Sequence, residues 1–129
     1  HHTTYGEFMA KDESKLWQEV KKNINQISFT RLESWASAGV PDLLCYNKKG
    51  KFFTVELKVE KRKKLTFSPH QIAFHVKHPN NTFILAKALV PLSIKLYTGR
   101  DILRIIEREP VSPIAESWTE IQEYLVNVT

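Results

Sequence analysis

The stretch "GVPDLLCYNKKGKFFTVELKV", residues 39–59, decides the fold of this chain. It reads as two strands of a hairpin, with an Asp, a Glu and a Lys set among apolar residues, and charged side chains seldom occupy such positions without a partner. If Lys48, Lys49 and Gly50 form a three-residue loop with Gly50 in the left-handed position, Asn47 pairs with Lys51 and Asp42 falls opposite Glu56. Leu43, Cys45, Phe53, Val55 and Leu57 then share the other face, as in a sheet layer packed against helices. Residues opposite each other in this way have Cβ atoms about 4.5–5.5 Å apart. Two carboxylates are therefore pressed together on one face, and Lys58 joins them two residues along.

Working outward, the chain gives a coarse αβββαβ order followed by helical segments. "DESKLWQEVKKNIN" carries Leu16, Trp17, Val20 and Ile24 at helical spacing, with Asp12 as the expected N-cap. "ISFTRLESW" reads as a strand, broken by "ASAGVP". "KRKKLTF" is too charged for a core and reads as a flexible basic loop. In "SPHQIAFHVKH" Ser68 as N-cap and Pro69 at the first helical position start a helix. "NTFILAKAL" and "SIKLYTG" read as strands, "RDILRIIERE" as an amphipathic helix, and "SWTEIQEYLVN" as a last helix capped by Ser117.

Composition narrows the function. The 129 residues carry 19 basic and 14 acidic side chains, a net charge of +5. The opening "HHTTYGEF" has the look of a tag and linker remnant, so residues 1–8 are set apart and residues 9–129 are read as a single domain; without Glu7 the net charge rises by one. A basic balance favours a polyanionic partner, nucleic acid first. No apolar run approaches the roughly 20 residues of a membrane span, so no membrane partner and an intracellular location are expected. Cys45 is the single cysteine and lies in an apolar strand, which removes a disulfide framework and a Cys-based zinc cluster.

Two adjacent carboxylates repel when both are ionised, and a shared proton or a divalent cation relieves that. Magnesium suits carboxylate, carbonyl and water oxygens, and an ammonium nearby can orient or deprotonate an attacking water or balance charge on a phosphate. This is chemistry for hydrolysing a phosphodiester. The competing reading of Asp42, Glu56 and Lys58 is a structural ion-pair network.

"VPD" at 40–42, followed after a hairpin by "ELK" at 56–58, resembles the signature of the PD-(D/E)xK nuclease superfamily. With "AGVPDLL", "VELKV" and "SPHQ", the chain is most similar to small Holliday-junction resolvases and virus-type replication-repair nuclease modules, over about residues 12 to 88. The resemblance implies a restriction-endonuclease-like α/β fold: an αβββαβ core with a mixed central sheet flanked by helices, to which the C-terminal helices are additions. It implies Asp42 and Glu56 as metal ligands, the Leu57 carbonyl as a further ligand, and Lys58 as the catalytic lysine. It also implies a Glu from the first helix, for which Glu19 is the match, and a Gln after the "ExK" strand, for which Gln71 fits. Mg2+ is the expected cofactor, with Mn2+ as a substitute. The expected activity is structure-selective DNA cleavage of four-way junctions or other branched DNA by a homodimer. The alternatives are a flap or duplex-nicking nuclease, or a DNA-binding module that does not cut.

Around that centre, Lys61, Arg62, Lys63 and Lys64 leave the "ELK" strand and are expected to hold phosphates. His70 and Ser34 are further candidate phosphate contacts, and Arg31 and Glu33 share Ser34's segment. His75 and His78 are expected on the helix surface, since the spacings among the three histidines do not make an HExxH pair. Trp17, Trp35 and Trp118 are expected in the core or an interface. The "ILRII" helix and the last helix, with Trp118, Ile121, Tyr124 and Leu125, are the candidate dimer elements, though helical stripes like these are more often core.

Overall fold

The computed structural model describes residues 11–32 and 38–129. Its elements run α1 (Lys11–Asn23), β1 (Ser28–Arg31), β2 (Leu43–Tyr46), β3 (Phe52–Val59), α2 (Pro69–Lys77), β4 (Thr82–Leu89), β5 (Leu92–Thr98), a 3-10 turn (Gly99–Asp101), α3 (Ile102–Ile106) and α4 (Trp118–Val126). Among the described residues, five strands form one mixed sheet in sequential order. Neighbours are antiparallel except β3 and β4, which are parallel. A parallel pair needs a long crossover, and α2 supplies it. Ser68 caps that helix through a capping box with Gln71, and Pro69 opens it.

The hairpin register is the one its loop chemistry requires. Gly50 has φ 76°, the Asn47 N–H reaches the Lys51 carbonyl at 3.2 Å, and Leu43, Cys45 and Tyr46 pair with Val55, Phe53 and Phe52. Leu43, Cys45, Phe53, Val55 and Leu57 share one buried face. They meet Leu16 and Val20 of α1 and Ile121 and Leu125 of α4 in one apolar core. Burial pushes the Cys45 thiol pKa up, so it remains a small hydrophobe there. The helix α1 is already under way at Lys11, so Asp12 is not its cap; Asp12 and Glu13 are acidic residues of the first turn, favourable at the positive end of the helix dipole.

The C-terminal segments depart from expectation. "RDILRIIERE" makes only a 3-10 turn and the five residues of α3. In the last helix Ile121 and Leu125 are fully buried, so much of its apolar stripe is core, while Tyr124 stays 42% exposed. Trp17 and Trp118 are partly buried against the same core, while Trp35 lies outside the described residues. Asn47 fastens α4 to the hairpin. Its side-chain amide donates to the carbonyls of Leu125 and Val128, and its oxygen accepts from the N–H groups of Lys49 and Lys51.

Among the described residues, no helix is long and apolar enough to cross a membrane.

Asn47→Ala leaves two buried carbonyls and two turn N–H groups without these partners. It is expected to cost about 2–3 kcal/mol, read as a fall in Tm on the order of 10 °C by thermal denaturation. A Tm within about 2 °C of the parent, well under 1 kcal/mol for a domain of this size, would mean that the tether carries no stability.

Candidate active site

The strand β2 separates from β3 at Pro41, which has no N–H to give the ladder. The Asp42 carboxylate takes over there, accepting the Leu57 N–H through Oδ2 at 2.7 Å. Continuing the register one step beyond Leu43 and Val55 sets Asp42 opposite Glu56. Thr54 of β3 and Glu60 just after it give their N–H groups to the Asn81 and Lys87 carbonyls on the β4 side, so the alternate residue Leu57 directs its N–H and C=O to the side that β2 vacates.

Glu56 lies on the sheet face covered by α2 and is 1% exposed. Its Oε2 accepts from Gln71 Nε2 at 3.0 Å. The Gln71 Oε1 in turn accepts from Lys58 Nζ at 2.9 Å and from the Ser68 N–H at 3.0 Å. One amide thus serves the helix cap, the acid and the lysine together. Lys58 Nζ also stands 4.8 Å from the centre of the Phe67 ring, a cation–π contact that further fixes it.

Beneath Glu56 lies His75, expected on the helix surface but fully buried. Gly99 makes the room: a Cβ there would stand 2.6 Å from His75 Nδ1 and 2.4 Å from Thr82 Oγ1. His75 Nε2 is 3.6 Å from Glu56 Oε1, within reach of an ion pair, yet burial first and the Lys58 charge second push the imidazole pKa down to about 4. The ring is therefore neutral near pH 7. Glu56 Oε1 and both His75 ring nitrogens have no hydrogen-bond partner, a costly state for buried polar atoms.

Burial dominates the acids as well. It raises the Asp42 pKa to about 8, with the Glu56 charge adding to it, and raises Glu56 to about 7, partly offset by Lys58. The charge of Glu13 also raises Glu56, so Glu13 is the first-helix acid that the pair feels. Glu19 instead pairs with Lys87 at 2.7 Å. Lys87 is in register with core-facing Val59, which puts this ion pair on the sheet face opposite Glu56. Both glutamates lie three residues from Leu16, one on each edge of its stripe, and about 9 Å apart along the axis at 1.5 Å per residue. Sequence phase does not choose between them; the docking of α1 does.

Gln71 and Lys58 are thus gathered at the acid pair, and Glu19 is not. Lys61, Arg62, Lys63, Lys64 and His70 are exposed, and Ser34 and Glu33 lie outside the described residues. The expected basic loop is a tight turn: Lys61 and Lys64 exchange both backbone hydrogen bonds, with Arg62 at φ 53° and Lys63 at φ 62°. His75 and Phe67 went unassigned as site residues. A helical projection of α2 would have found His75, four residues after Gln71 and so on the same side of the helix.

Among the described residues, no three or more His, Cys, Asp or Glu converge as a metal group. The donor set nonetheless fits a hard cation that keeps several waters: two carboxylates, one of them with an unpartnered buried oxygen, and the Leu57 carbonyl. No family model, no curated protein and no solved structure matches the chain.

The acids hold protons in the folded chain that the unfolded chain releases near pH 4, so they lower stability as pH rises through about 7 and 8. Neutral His75 acts oppositely, losing stability as pH falls from 6.5 toward about 4. The two trends oppose each other below pH 6.5, which leaves pH 6.5–8 as the clean window. There, in the absence of divalent cations, stability is expected to fall on the order of 1 kcal/mol per pH unit. Glu56→Gln is expected to flatten that slope, as followed by Tm in matched buffers. An equal slope in the variant would remove Glu56 as its source.

Proposed function

We propose that this chain is a magnesium-dependent, structure-selective DNA endonuclease with a restriction-endonuclease-like core, acting on four-way junctions or related branched DNA. The observation that carries the reading is the meeting of Asp42 and Glu56 where β2 leaves β3, with Lys58 tied to Glu56 through Gln71. Mixed sheet order and the β3–α2–β4 crossover support it at the level of fold. The resemblance of "VPD" and "ELK" to the PD-(D/E)xK signature supports it at the level of motif.

Asp42, Glu56 and the Leu57 carbonyl would hold magnesium, which when bound supplies Lewis-acid polarisation of the phosphate and a lowered pKa for the attacking water. Gln71 keeps the Glu56 carboxylate and the Lys58 ammonium in fixed relation, so neither has to be ordered when DNA arrives. Lys58 offsets the negative charge that builds on the attacked phosphate. Water adds to phosphorus, the bond to the 3′ oxygen breaks, and the products are a 5′-phosphate and a 3′-hydroxyl. Glu13 adds negative charge at the pair, raising its demand for a cation. Two symmetric cuts in a junction call for a two-fold homodimer.

A second reading is a DNA-binding module that does not cut, favoured by the lack of a three-ligand group among the described residues. Incubating labelled four-way junction, flap and linear duplex with Mg2+ or Mn2+ tests both. Junction cleavage with 5′-phosphate ends is expected, and silence on every substrate in both metals would select the binding module.

Asp42→Asn and Glu56→Gln are each expected to lower cleavage by more than about 100-fold while junction binding stays intact, or tightens where pH is high enough for the replaced acid to carry its charge near the phosphate. Parental cleavage by either variant would remove it from the reaction.

Changing Lys61, Arg62, Lys63 and Lys64 together to Ala is expected to weaken binding and flatten the slope of log affinity against log salt by up to about four units. Saturating DNA then restores much of the rate. Lys58→Ala is expected to keep the salt slope and lose turnover even at saturation. An unchanged slope in the fourfold variant would leave those charges as solvated surface.

A further inference from the structure

The hairpin joining β4 to β5 ends in an apolar tip. Leu89 pairs with Leu92 across it, and Leu89, Val90 and Leu92 are 48%, 78% and 74% exposed. Tight hairpin tips ordinarily carry Gly, Asn or Asp, and strand ends that face water are ordinarily blunted with charge. Among the other exposed large hydrophobic residues of the described chain, Tyr46 and Phe52 pack on each other across the β2–β3 hairpin, and none adjoins a second one in sequence. The three tip residues contribute little to the core, so their exposure calls for a partner.

The tip has a charged neighbour. The Glu60 N–H bonds to the Lys87 carbonyl at 2.7 Å, so the basic turn after β3 and the tip after β4 leave the sheet side by side. Lys61, Arg62, Lys63, Leu89 and Val90 line one cleft, together with half-buried Asp12 and Glu60. Arg62 and Lys63 both hold positive φ, a conformation that favours glycine, so this tight turn displays two cations where glycine would be easier. Cations beside an apolar prow match a phosphate backbone with exposed bases. A second copy of this chain would bring its own cations to the same place.

We propose that the β4–β5 tip is an unstacking wedge for DNA: Leu89, Val90 and Leu92 enter where base stacking is interrupted, while Lys61, Arg62 and Lys63 hold the adjoining phosphates. Apolar side chains that insert between base steps do so most cheaply where stacking is already broken. Val90 lies six residues along β4 from Ile84, the register partner of Glu56, which is about 20 Å at 3.3 Å per residue. The wedge thereby sets the cut a few nucleotides from the discontinuity and gives the active site a reason to prefer branched DNA. The inference rests on the nuclease reading for its partner and deepens it.

The test places 2-aminopurine at the branch point of a four-way junction and, as a control, within a linear duplex. Glu56→Gln protein, which binds without cutting, is expected to raise the fluorescence of the junction several-fold and leave the duplex unchanged. Adding Val90→Ser and Leu92→Ser, at exposed positions that leave the Tm in place, is expected to abolish most of that rise. It is also expected to lower junction affinity by about 10-fold or more with duplex affinity kept. In the otherwise parental protein the same pair of changes scatters or slows junction cuts. An equal fluorescence rise with and without the tip residues overturns the wedge, as does light scattering that shows the tip changes turning a dimer into monomers without DNA. Cleavage by the parent with no fluorescence rise overturns the wedge alone, whereas no binding to either DNA overturns the nuclease reading with it.

Discussion

The Glu56 carboxylate is the constraint on which the rest of this structure turns. It is almost wholly buried in the middle of β3, paired to the parallel strand β4 at the point where the antiparallel β2 has just ended. An acid there is tolerated only if its charge is shared, neutralised or balanced. Gln71 donates to one oxygen, Asp42 stands across the strand gap, and Lys58 supplies a nearby positive charge. Each of those partners is itself held by an element that the hairpin or the crossover helix sets in place.

This dependence explains local choices that look unrelated. The β2–β3 ladder ends at Leu43 and Val55, beyond which the Leu57 N–H goes to the Asp42 side chain and Pro41 has no N–H to offer the Leu57 carbonyl. Ser68 and Gln71 form a capping box, and the same Gln71 reaches the acid and the lysine, so the start of α2 and the geometry of the site are one arrangement. Gly39, at φ 82°, lets the loop before Asp42 lie on the backbone of His70, where a Cβ would meet the carbonyl oxygen at 2.4 Å. Gly99 does the same service for His75 on the inner side. Three of the four buried side-chain atoms still unpartnered among the described residues, Glu56 Oε1 and the two nitrogens of His75, are then concentrated at a single place; the fourth is Thr54 Oγ1. Cores avoid such groups, and functional sites retain them.

The two faces of the sheet divide the labour. On one, α1 and α4 pack against Phe53, Val55 and Leu57, and Asn47 ties α4 to the hairpin, so that the strand carrying Glu56 is fixed from behind. On the other, α2 and the 3-10 turn cover the acid. At the end of β3 and β4 the sheet opens into the basic turn and the apolar tip, both of them exposed.

The sequence by itself determined what depends on near neighbours. Glycine in a three-residue loop sets the hairpin register, and the register sets which side chains share a face, so Asp42 opposite Glu56 was legible from residues 42–56. Ser68, Pro69 and Gln71 announced the helix that follows. Only the tertiary structure decided what depends on how elements dock. Glu13 and Glu19 lie on opposite edges of the same helical stripe, and the seating of α1 lets the charge of one act on Glu56 and pairs the other with Lys87. His75 looks like a surface residue until the bare backbone of Gly99 lets it sink beneath Glu56. The last helix enters the core through Ile121 and Leu125, and Asn47, distant in sequence, holds the carbonyls at its C-terminal end. Periodicity fixes a residue's place on its own element; what that place faces is fixed by contacts between segments far apart in the chain.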